Sequence, residues 1–355
     1  MAVKNPLVTV VIPVYNGART LRRSVRSVLA QTLADVEIVC VDDASTDGTA
    51  RKLEKLCQRH PQVRVLSLDR NSGPLAARLA GVRAAKGDYI AFLDCGDRIV
   101  KDGLQQLLLA ATSTDADVTM GASSLVAPHL CKISYSRPRT AFEDYKYTEE
   151  SEVADNVLTY KGMLNGSLSA SIWDKVYRRA WLVRHLPEAM DFRIGEDYYF
   201  VAYVMAYASK VHFTDADYYE WTYSGLAEKY FMKGFSDNAA LMGHVLDIVA
   251  GHAAGCGLDP DEAREAVAGK FLYQTMLGLS EYYRRCHSRK KTVAFAREMF
   301  RHPVLERAKG CVKSFKKVSY DALTPEIMVD LAGEHLHRHR KYYIFTRILN
   351  LIYRK

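Results

Sequence analysis

Short β-branched runs alternate with amphipathic stretches over the first hundred residues, and this alternation constrains the fold more than any other feature. Runs of β-branched and other apolar residues predict buried parallel strands at residues 8–14, 36–41, 63–68 and 89–93. Apolar residues at helical spacing predict helices over residues 19–30, 49–60 and 75–85. Strands and helices in this order predict an α/β domain with a mainly parallel sheet flanked by helices.

The predicted strands end in polar residues, where ligands of such sheets bind. Asp42 and Asp43 follow the second strand, and Asp94 and Asp97 follow the fourth. Adjacent like charges at a buried strand end cost free energy unless something binds beside them. A nucleoside would supply hydrogen-bond donors, and a divalent cation would supply positive charge. Structural alternatives remain open, because Ser45 or Asp47 could cap a helix and Asp94–Asp97 could form a turn.

The rest of the chain divides by composition. The alternating pattern weakens over residues 120–170, which predicts a long surface excursion there. Beyond about residue 226 the pattern predicts helices, most clearly over 239–251 and 261–283. We therefore expect a catalytic domain over residues 1–225 and a helical region over 226–355. The formal charge of +8 is concentrated in the second region, where residues 284–317 carry twelve Lys or Arg against two acids.

This basic bias favours an anionic partner such as a membrane surface, an acidic glycolipid or a nucleic acid. Residues 340–355 place apolar side chains along one helical side with basic flanks, which predicts either an interfacial helix or a helix docked on the protein. The region carries no nucleic-acid recognition motif, so no nucleic acid is expected. A helical region could also mediate oligomer contacts.

Several segments together resemble the family 2 glycosyltransferases. They are residues 10–16, 37–49, 71–73, 77–78, 85–94 and 195–197. The resemblance is dense over residues 7–110, thinner over 170–225 and absent beyond. It implies a GT-A fold, which is a Rossmann-like sheet flanked by helices, and inverting transfer of one sugar from a nucleotide-diphospho-sugar. A UDP-sugar is the favoured donor, and a hydroxyl of a glycan, lipid-linked or protein acceptor receives the sugar.

The resemblance also assigns roles to residues. In the family, the first loop and the second strand-end aspartate hold the nucleobase and ribose, and a basic residue near the nucleotide matches Arg78. The predicted nucleotide-sugar-binding residues are Pro13, Tyr15, Asn16, Asp42, Asp43, Asn71, Gly73, Arg78, Asp94 and Cys95. The Asp94 loop matches the D-x-D motif for ribose and Mn²⁺ or Mg²⁺, with Asp94 and Asp97 as the predicted metal ligands. Asp197 matches the general base, with Glu196 beside it.

One position departs from the family pattern, because Gly96 replaces the aspartate that usually binds the metal. Either Asp97 or another group compensates, or metal binding is weak, or activity is lost. The last case gives the alternative of a catalytically silent GT-A domain that serves as a binding or scaffold subunit. A nucleotidyltransferase is disfavoured, since residues 15–19 make a poor glycine-rich phosphate loop.

The seven cysteines show no C-x-x-C spacing, and the N-terminal residues resemble no signal peptide. Reduced thiols and a cytoplasmic location are therefore expected, with peripheral binding at the inner face of the membrane through the basic C-terminus.

Overall fold

The computed structural model describes residues 7–126, 132–136, 153–154, 169–190, 195–222, 235–252, 258–311, 314–315, 318–319 and 323–338. The chain divides into two compact units, one of residues 1–163 with 167–222 and one of residues 223–355 with 164–166. The boundary predicted at residues 225 and 226 lies outside the described residues.

The first unit is built on a mixed sheet. Its strands are β1 (Val8–Val14), β2 (Val36–Asp42), β3 (Val63–Ser67), β4 (Tyr89–Phe92), β5 (Arg98–Ile99), β6 (Val118–Val126), β7 (Lys132–Ser136), β8 (Val153–Ala154), β9 (Lys175–Arg178) and β10 (Val211–Thr222). In the described part of the chain the order is β3-β2-β1-β4-β9-β6-β10-β5, with β7 beside β6 and β8 beside β10. The parallel order β3-β2-β1-β4 confirms the predicted α/β class.

Helices cover both faces of this sheet. They are α1 (Leu21–Leu29), α2 (Thr49–Arg59), α3 (Gly73–Ala84), α4 (Gly103–Thr114), α5 (Arg179–Leu182) and α6 (Glu196–Met205), with a 3₁₀ turn at Val183–His185. The predicted helices over 19–30, 49–60 and 75–85 are therefore confirmed to within two residues. Their ends differ only slightly, as is usual for helix boundaries.

Because β1 is pleated, its side chains point alternately to the helices on the two faces of the sheet. Val10 and Ile12 share one buried cluster with Leu21 of α1 and Leu53 of α2. Alternate residues of a strand point to opposite faces, so Val11 points to the other layer. There α3 approaches so closely that a Cβ on Gly81 would lie 2.3 Å from Val11 Cγ1. The first two helices therefore lie on one face of the sheet, and α3 lies on the other.

The prediction of a surface excursion over residues 120–170 is wrong at its beginning. Residues 118–126 form β6, which pairs in parallel with β10 and antiparallel with β9. Met120 and Ala122 are buried, although small and polar residues such as Thr119 and Ser123 interrupt the apolar pattern. The excursion is otherwise described at residues 132–136, 153–154 and 169–170, and the rest of it lies outside the described residues.

The second unit is helical, as predicted. It contains α7 (Phe235–His252), α8 (Pro260–Cys286), α9 (Arg289–Met299), α10 (Pro303–Gly310), α11 (Pro325–Arg338) and a short hairpin of β11 (Ser314–Phe315) with β12 (Val318–Ser319). Asp259 caps α8 by accepting from the backbone N–H groups of Asp261 and Glu262. None of the helices that the structure describes is long and apolar enough to span a bilayer. The predicted amphipathic helix at 340–355 lies outside the described residues.

Candidate active site

The loops after β1 and β2 are bound to each other through Asn16. Its backbone N–H donates to Ser45 Oγ at 2.9 Å, and its Oδ1 accepts from the Thr46 N–H at 2.8 Å. Its backbone has a φ of 51°, a left-handed conformation that asparagine tolerates better than most residues. The neighbouring Tyr15 is 50% exposed. The loop therefore presents Tyr15 to solvent at the carboxyl end of the sheet, with Asn16 fixing its shape.

The adjacent carboxylates of Asp42 and Asp43 have separate hydrogen-bond partners. Asp42 Oδ1 accepts from the Ser45 N–H at 3.1 Å. Asp43 accepts from the N–H groups of Ser72 and Gly73, at 2.7 and 2.9 Å, with one oxygen for each. Both aspartates are buried, and these bonds offset part of the cost of burial. Their adjacency is thus explained structurally, while Asp43 also ties the second strand to the start of α3.

The segment before α3 brings two further predicted residues to this edge. Gly73 is buried, and Asn71 keeps its Oδ1 buried without a hydrogen-bond partner in the described part of the chain. A buried polar atom without a partner costs free energy. An unsatisfied acceptor beside the Asp43 loop is consistent with the predicted contact to a nucleotide.

Arg78 of α3 organises the carboxylates of the site. Its guanidinium is only 3% exposed, and its Nη2 lies 2.7 Å from Asp94 Oδ1. Its Nη1 lies 3.1 Å from Glu196 Oε1 and 2.9 Å from Asp197 Oδ1. One buried cation thus joins three carboxylates from the end of β4 and the start of α6. We call these four residues the Arg78 cluster.

Burial and the charges of the Arg78 cluster together bring the pKa of one carboxyl close to neutral pH. Burial raises the pKa of Asp197 to about 7, against the lowering effect of Arg78, while Glu196 and Asp94 raise it further. A carboxyl with a pKa near 7 can both accept and release a proton under ordinary conditions. Asp197 therefore has the properties that a general base requires.

The motif segment Asp94–Asp97 forms the turn that the sequence left as an alternative. The Asp97 N–H donates to the Asp94 carbonyl at 3.0 Å, and Gly96 has a φ of +117°. Glycine adopts positive φ without the steric cost that a Cβ brings. The departure from the family motif therefore has a backbone reason, because the turn itself requires glycine at this position.

Both carboxylate oxygens of Asp97 are bonded to residues of β10. Its Oδ2 accepts from the hydroxyl of Tyr219 at 2.9 Å, and its Oδ1 accepts from the Thr222 N–H at 2.7 Å. The Tyr219 hydroxyl also accepts from the Asp94 N–H at 3.1 Å. Burial and the charge of Asp94 raise the pKa of Asp97 to about 7. Asp97 therefore stabilises the turn by bonding it to β10.

The site has one carboxylate oxygen suited to a divalent cation. Asp94 is 35% exposed; its Oδ1 binds Arg78, and its Oδ2 has no bond to any other described residue. Among the residues that the structure describes, no three His, Cys, Asp or Glu side chains are grouped to hold a metal. Mg²⁺ at diphosphates uses one or two carboxylates, several waters and the phosphate oxygens. Asp94 alone fits such an ion, and Asp97 does not fit it as oriented.

The remaining predicted residues lie at the same edge. Pro13 lies in β1 opposite Val41 and is partly exposed. Cys95 places its Sγ 3.4 Å from Thr20 Oγ1, and burial raises the pKa of its thiol to about 11. The thiol therefore stays protonated at neutral pH, and its contacts are to the first loop.

Residues 173–182 resemble an acceptor-side segment of the family, but the contacts of Tyr219, Trp173 and Lys175 are not predicted from the sequence. Tyr219 links Asp94 to Asp97, and Trp173 stacks on its ring with centroids 4.3 Å apart. The fully buried Lys175 donates to Asp174 Oδ1 at 2.5 Å. The dense aromatic run at the end of β10 was the available signal, but Asp94 and Asp97 lie more than 120 residues before Tyr219 in the chain.

A family model covers most of the first unit, in which this site lies. Residues 9–168 match the model of glycosyl transferase family 2. The chain has the GT-A fold.

Two known bacterial proteins are similar to part of the chain. The succinoglycan biosynthesis protein ExoO of Rhizobium meliloti is 32% identical over 203 residues, which are 57% of this chain and 57% of ExoO. Glycosyltransferase GlyG of Streptococcus pneumoniae is 34% identical over 115 residues, which are 32% of this chain and 38% of GlyG. The chain thus spans about half or less of the length of these relatives.

A solved structure supports the fold over a larger part of the chain. TarS residues 1–349 of S. aureus, in complex with UDP, align with a TM-score of 0.60 and 20% identity over 86% of this chain and 83% of that chain. The complex of the same fragment with UDP-GlcNAc aligns with a TM-score of 0.61 and 19% identity over 86% of this chain and 84% of that chain.

Proposed function

We propose that this protein is an inverting glycosyltransferase that moves one sugar from a nucleotide-diphospho-sugar to an acceptor hydroxyl. The observation that carries the proposal is the Arg78 cluster, which presents Asp197 at the carboxyl edge of the sheet. A family 2 enzyme needs a positioned carboxylate there to take a proton from the acceptor.

In the proposed reaction, Asp197 removes the proton of the acceptor hydroxyl as that oxygen attacks the anomeric carbon. The bond from this carbon to the diphosphate breaks, and the nucleoside diphosphate leaves with the electron pair. The new bond forms on the face opposite the leaving group, so the anomeric configuration inverts. General-base catalysis of this kind contributes roughly 10²–10⁴-fold in rate.

Arg78 has a positioning role in this proposal. Its Nη1 lies 2.9 Å from Asp197 and its Nη2 lies 2.7 Å from Asp94, so one rigid guanidinium fixes the base relative to the donor side of the site. The positive charge also limits how far burial raises the pKa of Asp197. A base that is about half ionised at pH 7 follows from this balance.

A UDP-sugar is the proposed donor. Tyr15, Asp43 and Asn71 are proposed to contact the base and ribose. This donor class is supported by TarS, a protein of similar fold that was crystallised with UDP and with UDP-GlcNAc. The exposed ring of Tyr15 offers a stacking surface for a nucleobase. The unpaired Oδ1 of Asn71 suits a ribose hydroxyl or the N3–H of uracil.

Mn²⁺ or Mg²⁺ is the proposed cofactor, held by Asp94 and by the diphosphate of the donor. Such an ion would neutralise the charge that develops on the leaving diphosphate. Because this chain supplies few ligands, affinity for the ion without nucleotide should be weak. The acceptor class, a membrane contact through the basic C-terminus and oligomer formation remain predictions.

A catalytically silent binding subunit is the alternative, favoured by Gly96 and by the orientation of Asp97. A titration of the protein with UDP, GDP and dTDP, each with Mn²⁺ and with a chelator, separates the two functions when turnover is measured beside it. We expect UDP to bind best, with weaker binding in chelator, and we expect slow hydrolysis of a UDP-sugar. Nucleotide binding without turnover of any sugar donor would favour the silent subunit.

Two adjacent carboxylates provide a matched test of the base. Asp197→Asn should lower turnover by about 100-fold or more while leaving UDP affinity unchanged, because the residue is proposed to act on the acceptor. Glu196→Gln, which removes a charge from the same guanidinium, should have a smaller effect. Equal losses in the two variants would remove the assignment of Asp197 as the base.

A further inference from the structure

A groove between α1 and α2 lies outside the proposed reaction. Its volume is about 760 Å³, and residues from both helices line it. The two helices lie on the face of the sheet opposite α3, as the pleat of β1 requires. The groove is therefore on the opposite side of the sheet from Arg78, and an occupant there would leave the Arg78 cluster accessible.

The rim of the groove is basic. Its six Lys and Arg side chains are Arg19, Arg22, Arg26, Lys52, Lys55 and Arg59. All six are exposed, and no acidic residue lines the groove among those that the structure describes. The acid of α2, Glu54, is not part of the lining. Six cations around one groove create a positive potential that attracts anions.

These six cations lack the ion pairs that other arginines of the same unit make. Arg64 pairs with Glu37, and Arg98 pairs with Glu220. Across the described ranges, no carboxylate lies within ion-pair distance of any groove cation. Lys52 donates to the carbonyl of Ala18, which leaves its charge uncompensated. Unpaired like charges on two neighbouring helices repel each other, so a bound anion would be stabilising.

The floor of the groove is apolar. Leu29 and Leu56 are partly buried and reach the lining, beside Leu21 and two alanines, and His60 at one end is its single aromatic residue among those that the structure describes. A site for nucleic acid or an acidic polysaccharide would be expected to offer aromatic or polar groups beneath the cations. An apolar floor with a cationic rim instead matches the boundary between the headgroups and acyl chains of an anionic lipid.

We propose that the groove between α1 and α2 is a docking site for an anionic phospholipid surface. Phosphate headgroups would contact the six basic side chains, and the glycerol and upper acyl region would contact the leucine floor. This surface is separate from the C-terminal segment and goes beyond the proposed transfer reaction. It would hold the protein at a bilayer with the opposite face of the sheet still accessible.

Co-sedimentation of the full chain with vesicles tests the proposal. The vesicles contain either phosphatidylcholine alone or phosphatidylcholine mixed with phosphatidylglycerol. We expect binding only to the mixed vesicles, with a decrease at high salt. Each basic residue near an anionic surface contributes a factor of about 5 in binding. The triple variant Arg22→Gln, Arg26→Gln and Lys55→Gln should therefore bind about 100-fold more weakly.

A matched triple variant controls for net charge. Arg83→Gln, Lys86→Gln and Lys101→Gln remove the same charge from exposed positions outside the groove, and this variant should bind much like the unmodified protein. Thermal unfolding shows that each variant is folded. Absent binding to mixed vesicles, or equal losses in the two variants, would overturn the proposal. So would groove-dependent binding of heparin without binding of vesicles, since the occupant would then be a soluble polyanion.

Discussion

Replacing Arg78 with glutamine should destabilise the first unit strongly. The guanidinium is 3% exposed and lies 2.7–3.1 Å from Asp94, Glu196 and Asp197. Removing one member of a buried ion pair costs about 3–5 kcal/mol, because the remaining charges stay buried without compensation. In a domain of this size each kcal/mol shifts the unfolding midpoint by about 2–4 °C, so we expect a decrease of about 10 °C.

The size of this loss should depend on pH through Asp197. Its pKa in the folded protein, about 7, lies above the ordinary value of 3.8. The folded state therefore binds the proton more tightly than the unfolded state, and the stability decreases as the pH rises from about 4 to about 7. Arg78 lowers this pKa, so its removal raises the pKa and extends the loss above pH 7. The variant should be closest to the unmodified protein near pH 5 and furthest from it near pH 8.

Thermal unfolding followed by circular dichroism between pH 5 and pH 8 measures this prediction. Arg83→Gln is the matched control, because Arg83 lies on the same helix and is exposed; such a change should alter stability by no more than about 0.5 kcal/mol. Equal midpoints for the Arg78 variant and the control at pH 8 would refute the argument. So would a loss that grows toward pH 5.

Three further outcomes follow from the same site. Turnover should rise with pH through an apparent pKa of about 7, as Asp197 ionises, and a flat profile would contradict its role as the base. Gly96→Ala should lower the free energy of unfolding by about 1–2 kcal/mol, because φ is +117°; denaturation in urea measures the change, and unchanged stability would contradict the turn geometry. Tyr219→Phe should cost about 1–3 kcal/mol, because Asp97 loses the hydroxyl that bonds its Oδ2. Urea denaturation without a loss in that variant would show that the bond contributes nothing to stability.

Much of the fold could be predicted because it is local. The runs at residues 8–14, 36–41 and 89–93 each carry their own pattern, and the parallel connection between them has one favoured arrangement. The strand-end residues Asp43 and Asp94 could be placed at one edge for the same reason. β6 was not predicted because its apolar alternation is weak. The strands that bury it, β9 and β10, come much later in the chain.

The candidate site could be predicted residue by residue but not as a set of interactions. Asp97 illustrates the difference, since its position in the sequence suggests a metal ligand. In the structure, Tyr219 and Thr222 occupy both of its oxygens. Tyr219 and Thr222 lie more than 120 residues after Asp97 in the chain, so no local sequence pattern could predict these contacts.

The sequence by itself determined the α/β class, the resemblance to family 2 glycosyltransferases and the residues that lie at the ends of the parallel strands, because these follow from periodicity and from motif order. Only the tertiary structure decided which carboxylates share Arg78, which one is buried enough to have a pKa near 7, and which one instead supports a turn. The physical reason is that burial and charge pairing depend on distances between elements that are remote in sequence. The basic groove between α1 and α2 follows the same rule, because it forms only when two helices bring their cations to the same face.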